Sequence, residues 1–167
     1  VNASGVVTGY MWTLNSTTTT AFTWTPEVGL TVLPGLPGQV ASVAWAIDDG
    51  GQVVGWAEMS DGCTKPVRWV HATAGLAVVP MLQALTDCGM ALDVTSGRDP
   101  VGSMRSGTGL MFAASFGASG AAAVPGWAPQ PSRAEAISPL GRVVGYSSSN
   151  SVKAYTTDPA GNLSQLP

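Results

Sequence analysis

One pattern recurs along this chain and limits what it can fold into. The segment Ala46-Ile47-Asp48-Asp49-Gly50-Gly51-Gln52-Val53-Val54-Gly55-Trp56 returns as Ala136-Ile137-Ser138-Pro139-Leu140-Gly141-Arg142-Val143-Val144-Gly145-Tyr146. Midway lies Ala91-Leu92-Asp93, followed by a shortened Pro100-Val101-Gly102, and Val1 to Tyr10 match from the Ile47 position onward. A second block follows each of these: Ala21-Phe22-Thr23-Trp24, Pro66-Val67-Arg68-Trp69, Met111-Phe112-Ala113-Ala114 and Ala154-Tyr155-Thr156-Thr157. A third is a glycine turn and a short apolar run ending in proline, at 29–34, 75–80, 120–125 and 161–167. Three blocks in one order, four times over, require tandem copies of a single unit of about 45 residues. The copies read as 1–46, 47–91, 92–136 and an incomplete 137–167 within one domain.

Each unit reads as four short strands, called here positions a (43–47), b (52–57), c (66–70) and d (76–79) after the second copy. They are rich in Val, Ile, Trp and Phe and bounded by Gly, Pro, Asp and Ser. The a–b connection, Asp48-Asp49-Gly50-Gly51, has the residues that tolerate the positive φ of tight hairpins. No stretch keeps a helical apolar period, and 21 glycines and 12 prolines interrupt every candidate helix. The fold class expected is therefore all-β, a β-propeller-like array in which each repeat is an antiparallel sheet. Val53-Val54 and Val143-Val144 put apolar side chains on both faces of strand b, as a sheet sandwiched between neighbours requires. A β-solenoid or β-prism is the alternative.

Val1 falls at the end of strand a, so the chain holds four copies of b–c–d and three complete copies of a. The expectation is a segment of a longer protein, with one sheet a strand short and an open edge through which copies can associate.

Charge narrows the function. Only 10% of residues are charged and the net charge is -3. The seven basic residues are scattered, which argues against a nucleic-acid partner. No apolar run reaches 18 residues, so no membrane-spanning helix is expected.

At Ala21-Phe22-Thr23-Trp24 and Ile47-Asp48-Asp49-Gly50-Gly51-Gln52-Val53-Val54-Gly55 the chain resembles the HAF repeat, a family of bacterial repeat proteins. Thr20 stands where the family pattern has His. In the third copy Ala114 is read at the place of Trp24 and Trp69, and in the fourth Thr157. The resemblance implies secretion and a β-repeat fold; it brings no catalytic residue and no cofactor. Asn2, Asn15 and Asn162 begin glycosylation sequons, which mean little in a bacterial protein.

Cys63 lies in the b–c loop and Cys88 at the d–a junction. Strand direction alternates, so both loops leave the same end of the sheet and the two can meet. With an even cysteine count in a secreted protein a disulfide is expected, two buried free thiols being the alternative. His71, the only histidine, reads as a surface residue at a strand end rather than part of a nucleophilic triad. Asp48, Asp49 and Asp93 read as turn formers, since their spacing is not that of a calcium loop. Paired carboxylates for glycoside hydrolysis are conceivable in a propeller, but Glu27, Glu58 and Glu135 fall at three different repeat positions and the sequence pairs none of them.

Trp24 and Trp69 share a repeat position and are expected in the core. Trp12, Trp45 and Trp127 do not recur, which makes them the candidate binding residues, because stacking needs an exposed ring. The functional expectation is an extracellular or cell-surface binding or scaffold domain for a protein or glycan ligand. A secreted glycan-active enzyme and a self-assembling structural module are the alternatives.

Overall fold

The computed structural model describes residues 1–12, 14, 16–72, 75–81, 88–105, 109–127, 131–148 and 151–167, with the backbone alone for 71, 72, 75 and 76. The runs of β-branched and aromatic residues between glycine and proline turns become strands. The described residues form no helix and fifteen strands: β1 (Val7–Trp12), β2 (Thr19–Thr25), β3 (Gly29–Val32), β4 (Gln39–Ile47), β5 (Val53–Met59), β6 (Thr64–Ala72), β7 (Gly75–Pro80), β8 (Gly89–Asp93), β9 (Val101–Arg105), β10 (Met111–Gly117), β11 (Gly120–Ala123), β12 (Ser132–Ile137), β13 (Val143–Ser148), β14 (Val152–Thr157) and β15 (Leu163–Gln165). They pair in chain order as four antiparallel meanders, β1-β2-β3, β4-β5-β6-β7, β8-β9-β10-β11 and β12-β13-β14-β15. The all-β expectation holds, and the sheet that is one strand short is the first.

The pairing registers fix which residues correspond. Gly9 faces Phe22, Gly55 faces Val67, Gly102 faces Ala114 and Gly145 faces Tyr155. Trp24, Trp69, Phe116 and Thr157 therefore share one place, each two residues beyond those partners. This corrects the sequence reading of the third copy, which put Ala114 there. Phe112 imitates Phe22 in the sequence and draws the match two residues out of register.

The a–b turns repeat their hydrogen bonds. The Asp48 amide donates to the Gln52 carbonyl and the Gly51 amide to the Asp48 carbonyl. Asn2, Gly5 and Val6 make the same bonds, as do Ser138, Gly141 and Arg142. The glycines take a φ of 81° at Gly51 and 78° at Gly5, in the left-handed region open to glycine.

The sheets follow one another face to face. Strand β4 lies against β1 and β2, β8 against β4, β5 and β6, and β12 against β8, β9 and β10. The core is three apolar seams between consecutive sheets rather than one centre. In the first seam Ala21 and Leu33 of the first sheet meet Val53, Val67 and Trp69 of the second. In the second, Val54 and Met81 meet Ala114 and Phe116. In the third, Val101, Ala113 and Val124 meet Val143, with Tyr155 and Leu163 packed on them. Every inner sheet thus has a leading face turned to the sheet before it and a trailing face turned to the sheet after it. Both faces being apolar explains the doubled valines of strand b.

Two buried backbone amides at the seams are satisfied by serines, while the buried Trp127 Nε1 and Ser103 Oγ have no hydrogen-bond partner among the described residues. The buried Ala21 amide donates to Ser42 Oγ at 3.0 Å, and the buried Ala113 amide to Ser132 Oγ at 3.0 Å. At the corresponding places of the middle seam stand Pro66 and Gly89, a residue with no N–H to satisfy and one with no hydroxyl to offer.

The disulfide forms. Cys63 and Cys88 are bonded across a sequence separation of 25, with Cα atoms 5.4 Å apart. The Cys88 carbonyl accepts from Arg105 at the end of β9, so the bond ties the β5–β6 loop of the second sheet to the third.

Candidate binding surface

The first sheet differs from the others in two respects: among the described residues no strand pairs with β1 in the place that β4, β8 and β12 take in the other sheets, and no sheet lies before its leading face. Trp24 pairs with Val7 and Leu30, and Phe22 with Gly9 and Val32, so these side chains share the leading face. Trp24 is 40% exposed, and Leu30 and Val32 are also exposed. Trp69, at the same place in the second sheet, is 0% exposed, and its indole Nε1 donates to the Pro34 carbonyl at 2.8 Å. The expectation that Trp24 lies in the core is overturned for that reason. The position is buried by the sheet in front, and among the described residues no sheet lies in front of the first.

On the opposite face of β1, Tyr10 and Trp12 lie two residues apart and meet edge to face, ring centroids 5.2 Å apart. Trp12 is 65% exposed. A second aromatic pair lies on the second sheet, where Trp45 meets Trp56 at 5.3 Å. Trp45 is 48% exposed because it is the extra residue of a bulge, where the β4–β5 register shifts between Ala44 and Ala46. Trp12 and Trp45 are thus available to a ligand, each with one ring already ordered against a neighbour.

Trp127 is not. It is 2% exposed, lies in the third seam and has its ring 6.2 Å from that of Tyr155. Its amide donates to the Val124 carbonyl in a turn where Gly126 has a φ of 77°. That turn aims the indole inward over Gly145. Its counterpart after β3 is Leu36, which also packs on a seam. The residue recurs as an apolar plug, a role that matching by residue type missed.

The carboxylates carry out structural work. Asp48 Oδ1 accepts the Gln52 amide at 2.8 Å, Asp49 Oδ1 the Ala3 amide at 2.8 Å, and Asp93 Oδ2 the Ile137 amide at 2.8 Å. The first bond closes its own turn; the other two, with the Asn2 side-chain amide donating to the Asp48 carbonyl, join consecutive sheets, their partners 44 to 46 residues apart. Asp158 closes the β14–β15 turn. The Asn162 side chain, then the amides of Asn162, Ala160 and Gly161, donate to it and hold its carboxyl below the ordinary aspartate value, burial opposing. Glu27 lies in the β2–β3 turn and Glu58 on β5, while Glu135 is bound by Arg133 at 2.9 Å, and the three do not converge. No cluster of three or more metal-ligating side chains occurs among the described residues. His71 lies in β6 paired with Leu76, and its side chain is outside the described residues.

Among the described residues no helix is long and apolar enough to cross a membrane. Compared with known protein families and with curated proteins, the sequence matches none.

Proposed function

We propose that this chain is a propeller-like repeat module of the HAF-repeat kind that works outside the cell as a binding or scaffold domain for a glycan or protein ligand. The observation that carries the reading is the pair of exposed aromatic platforms, Tyr10–Trp12 and Trp45–Trp56, on a surface poor in charge. An indole held in place by a neighbouring ring offers a flat apolar face to a sugar ring or an apolar side chain at little ordering cost. The succession of four sheets, one for each repeat, supports the propeller-like part of the reading. The Cys63–Cys88 bond supports an oxidising compartment.

The test is a glycan array followed by titration calorimetry on the best hit. Binding that Trp12→Ala or Trp45→Ala weakens by about tenfold or more, with the fold unchanged, is the expected result. A chain that binds no glycan or protein ligand, or binds one equally well in both variants, refutes the aromatic platforms as the site.

A further inference from the structure

Three glycines at one place in successive sheets lie hard against a neighbouring backbone, and a fourth at the same place has no such neighbour among the described residues. A Cβ on Gly55 meets the Val43 carbonyl oxygen, one on Gly102 the Met90 carbonyl oxygen and one on Gly145 the Arg133 carbonyl oxygen, each far inside contact distance. In every case the crowding oxygen belongs to the a strand, just before its bulge. The registers shift between Ala44 and Ala46, Ala91 and Asp93, and Ala134 and Ala136. Glycine inside a strand commonly marks such a close backbone approach. Gly9 is the corresponding residue of β1, and a Cβ there meets only the outer edge of the Phe22 ring, at 3.3 and 3.4 Å. Its φ is not among the positive values, so no turn demands glycine at this position. The turn that receives an a strand is also present. Asn2 accepts the Gly5 amide on its carbonyl and the Val6 amide on Oδ1, as Asp48 accepts Gly51 and Gln52.

We propose that the open edge of β1 is a strand-acceptor site. Its occupant is one antiparallel, bulged β-strand of this repeat's own a pattern: Ala opposite Gly9, one bulged residue, then a small residue and a β-branched one, as in Ala44-Trp45-Ala46-Ile47 of β4. The three a–b pairings already in the molecule show what the edge is shaped to take, and backbone hydrogen bonds supply the binding as in other strand additions. The site rests on backbone geometry and does not depend on the aromatic platforms proposed above.

The experiment uses the whole chain and a synthetic peptide of residues 39–47, Gln-Val-Ala-Ser-Val-Ala-Trp-Ala-Ile, with two added lysines for solubility. Binding at one peptide per chain is expected, with amide protection appearing along Val7–Trp12. A peptide lacking the bulged residue should bind more weakly. Gly9→Ala should leave the chain folded yet weaken the peptide by more than about tenfold, because its Cβ takes the place of the incoming carbonyl. No binding overturns the proposal, as does a Gly9→Ala chain that binds as well as the parent. Self-association of the chain through β1 that the peptide fails to displace also overturns it, since the occupant is then β1 of a second copy. Glycan binding measured on the Gly9→Ala chain reports on the aromatic platforms separately.

Discussion

Trp24 and Trp69 hold the same register position in consecutive sheets, yet Trp24 is 40% exposed and Trp69 is 0% exposed. The difference lies in neither strand. It comes from the first sheet, which covers Trp69 and whose own leading face no sheet covers among the described residues. The last sheet shows the converse. Ala154 and Leu166 are exposed on its trailing face, while their counterparts Ala21, Ala113, Leu33 and Val124 are buried. Burial in this fold belongs to the seams, and among the described residues the outer faces of the first and last sheets have no sheet against them.

The cost of truncating the two indoles should differ accordingly. Trp69→Ala removes a fully buried ring and its bond to Pro34, and is expected to cost about 3–5 kcal/mol. Trp24→Ala is expected to cost about 1–2 kcal/mol, because water already reaches much of the ring. Urea denaturation of the two variants measures both, and equal losses would refute the one-sided burial of the first sheet.

How far the sequence revealed this fold depends on how local each determinant is. The Asp48-Asp49-Gly50-Gly51 turn was legible because positive φ is a property of a few residues, and Gly51 adopts it. The Cys63–Cys88 bond was legible because alternating strands put both loops at one end of a sheet. Trp24 was not, since its burial depends on a sheet that other residues would have to build. Trp127 looked like a non-recurring aromatic because its counterpart, Leu36, differs in chemistry and shares only the seam. Phe116 was displaced from its repeat position by Phe112, and only the pairing of Gly102 with Ala114 resolves which phenylalanine is which. Failure to recur picked out the exposed Trp12 and Trp45 but also the buried Trp127, and it gave no sign of Tyr10 or Trp56. The open edge was legible in the count of a strands, while the shape of strand it accepts needed the space around Gly9.

Alanine at the four equivalent glycines should sort them into two groups. Gly55→Ala, Gly102→Ala and Gly145→Ala force a backbone carbonyl aside and are expected to cost about 2–4 kcal/mol each. Gly9→Ala meets only a ring edge and is expected to stay within about 1 kcal/mol of the parent. Thermal melts of the four variants decide this, and a Gly9 variant as damaged as the other three would contradict it.

The seam serines should matter through the amides they satisfy. Ser42→Ala leaves the buried Ala21 N–H without its acceptor, and Ser132→Ala does the same to Ala113. Each is expected to cost about 1–3 kcal/mol. Gly89→Ser is expected to lose stability as well, because its Cβ meets the Ser103 carbonyl oxygen and its hydroxyl finds a proline where the other seams have an N–H. Chemical denaturation of the three variants tests the assignment; losses near zero for both alanine variants would dismiss it.

Breaking the Cys63–Cys88 bond should lower stability by about 3 kcal/mol, the loop-closure entropy of a 25-residue separation. Thiol titration of the unfolded, unreduced chain should find no free thiol. Two titrating thiols per chain would contradict the bonded state.

Among the described residues the first sheet has three strands where the others have four, and no strand pairs with the outer edge of β1. Residue-resolved amide hydrogen exchange tests this most directly. Alternate amides of Val7–Trp12 point away from β2 and have no strand partner, so they should exchange close to the unprotected rate. Their counterparts in Val53–Met59, enclosed between β4 and β6, should be slowed by orders of magnitude. Equal protection along both strands would mean that the β1 edge is already paired, and would contradict the account.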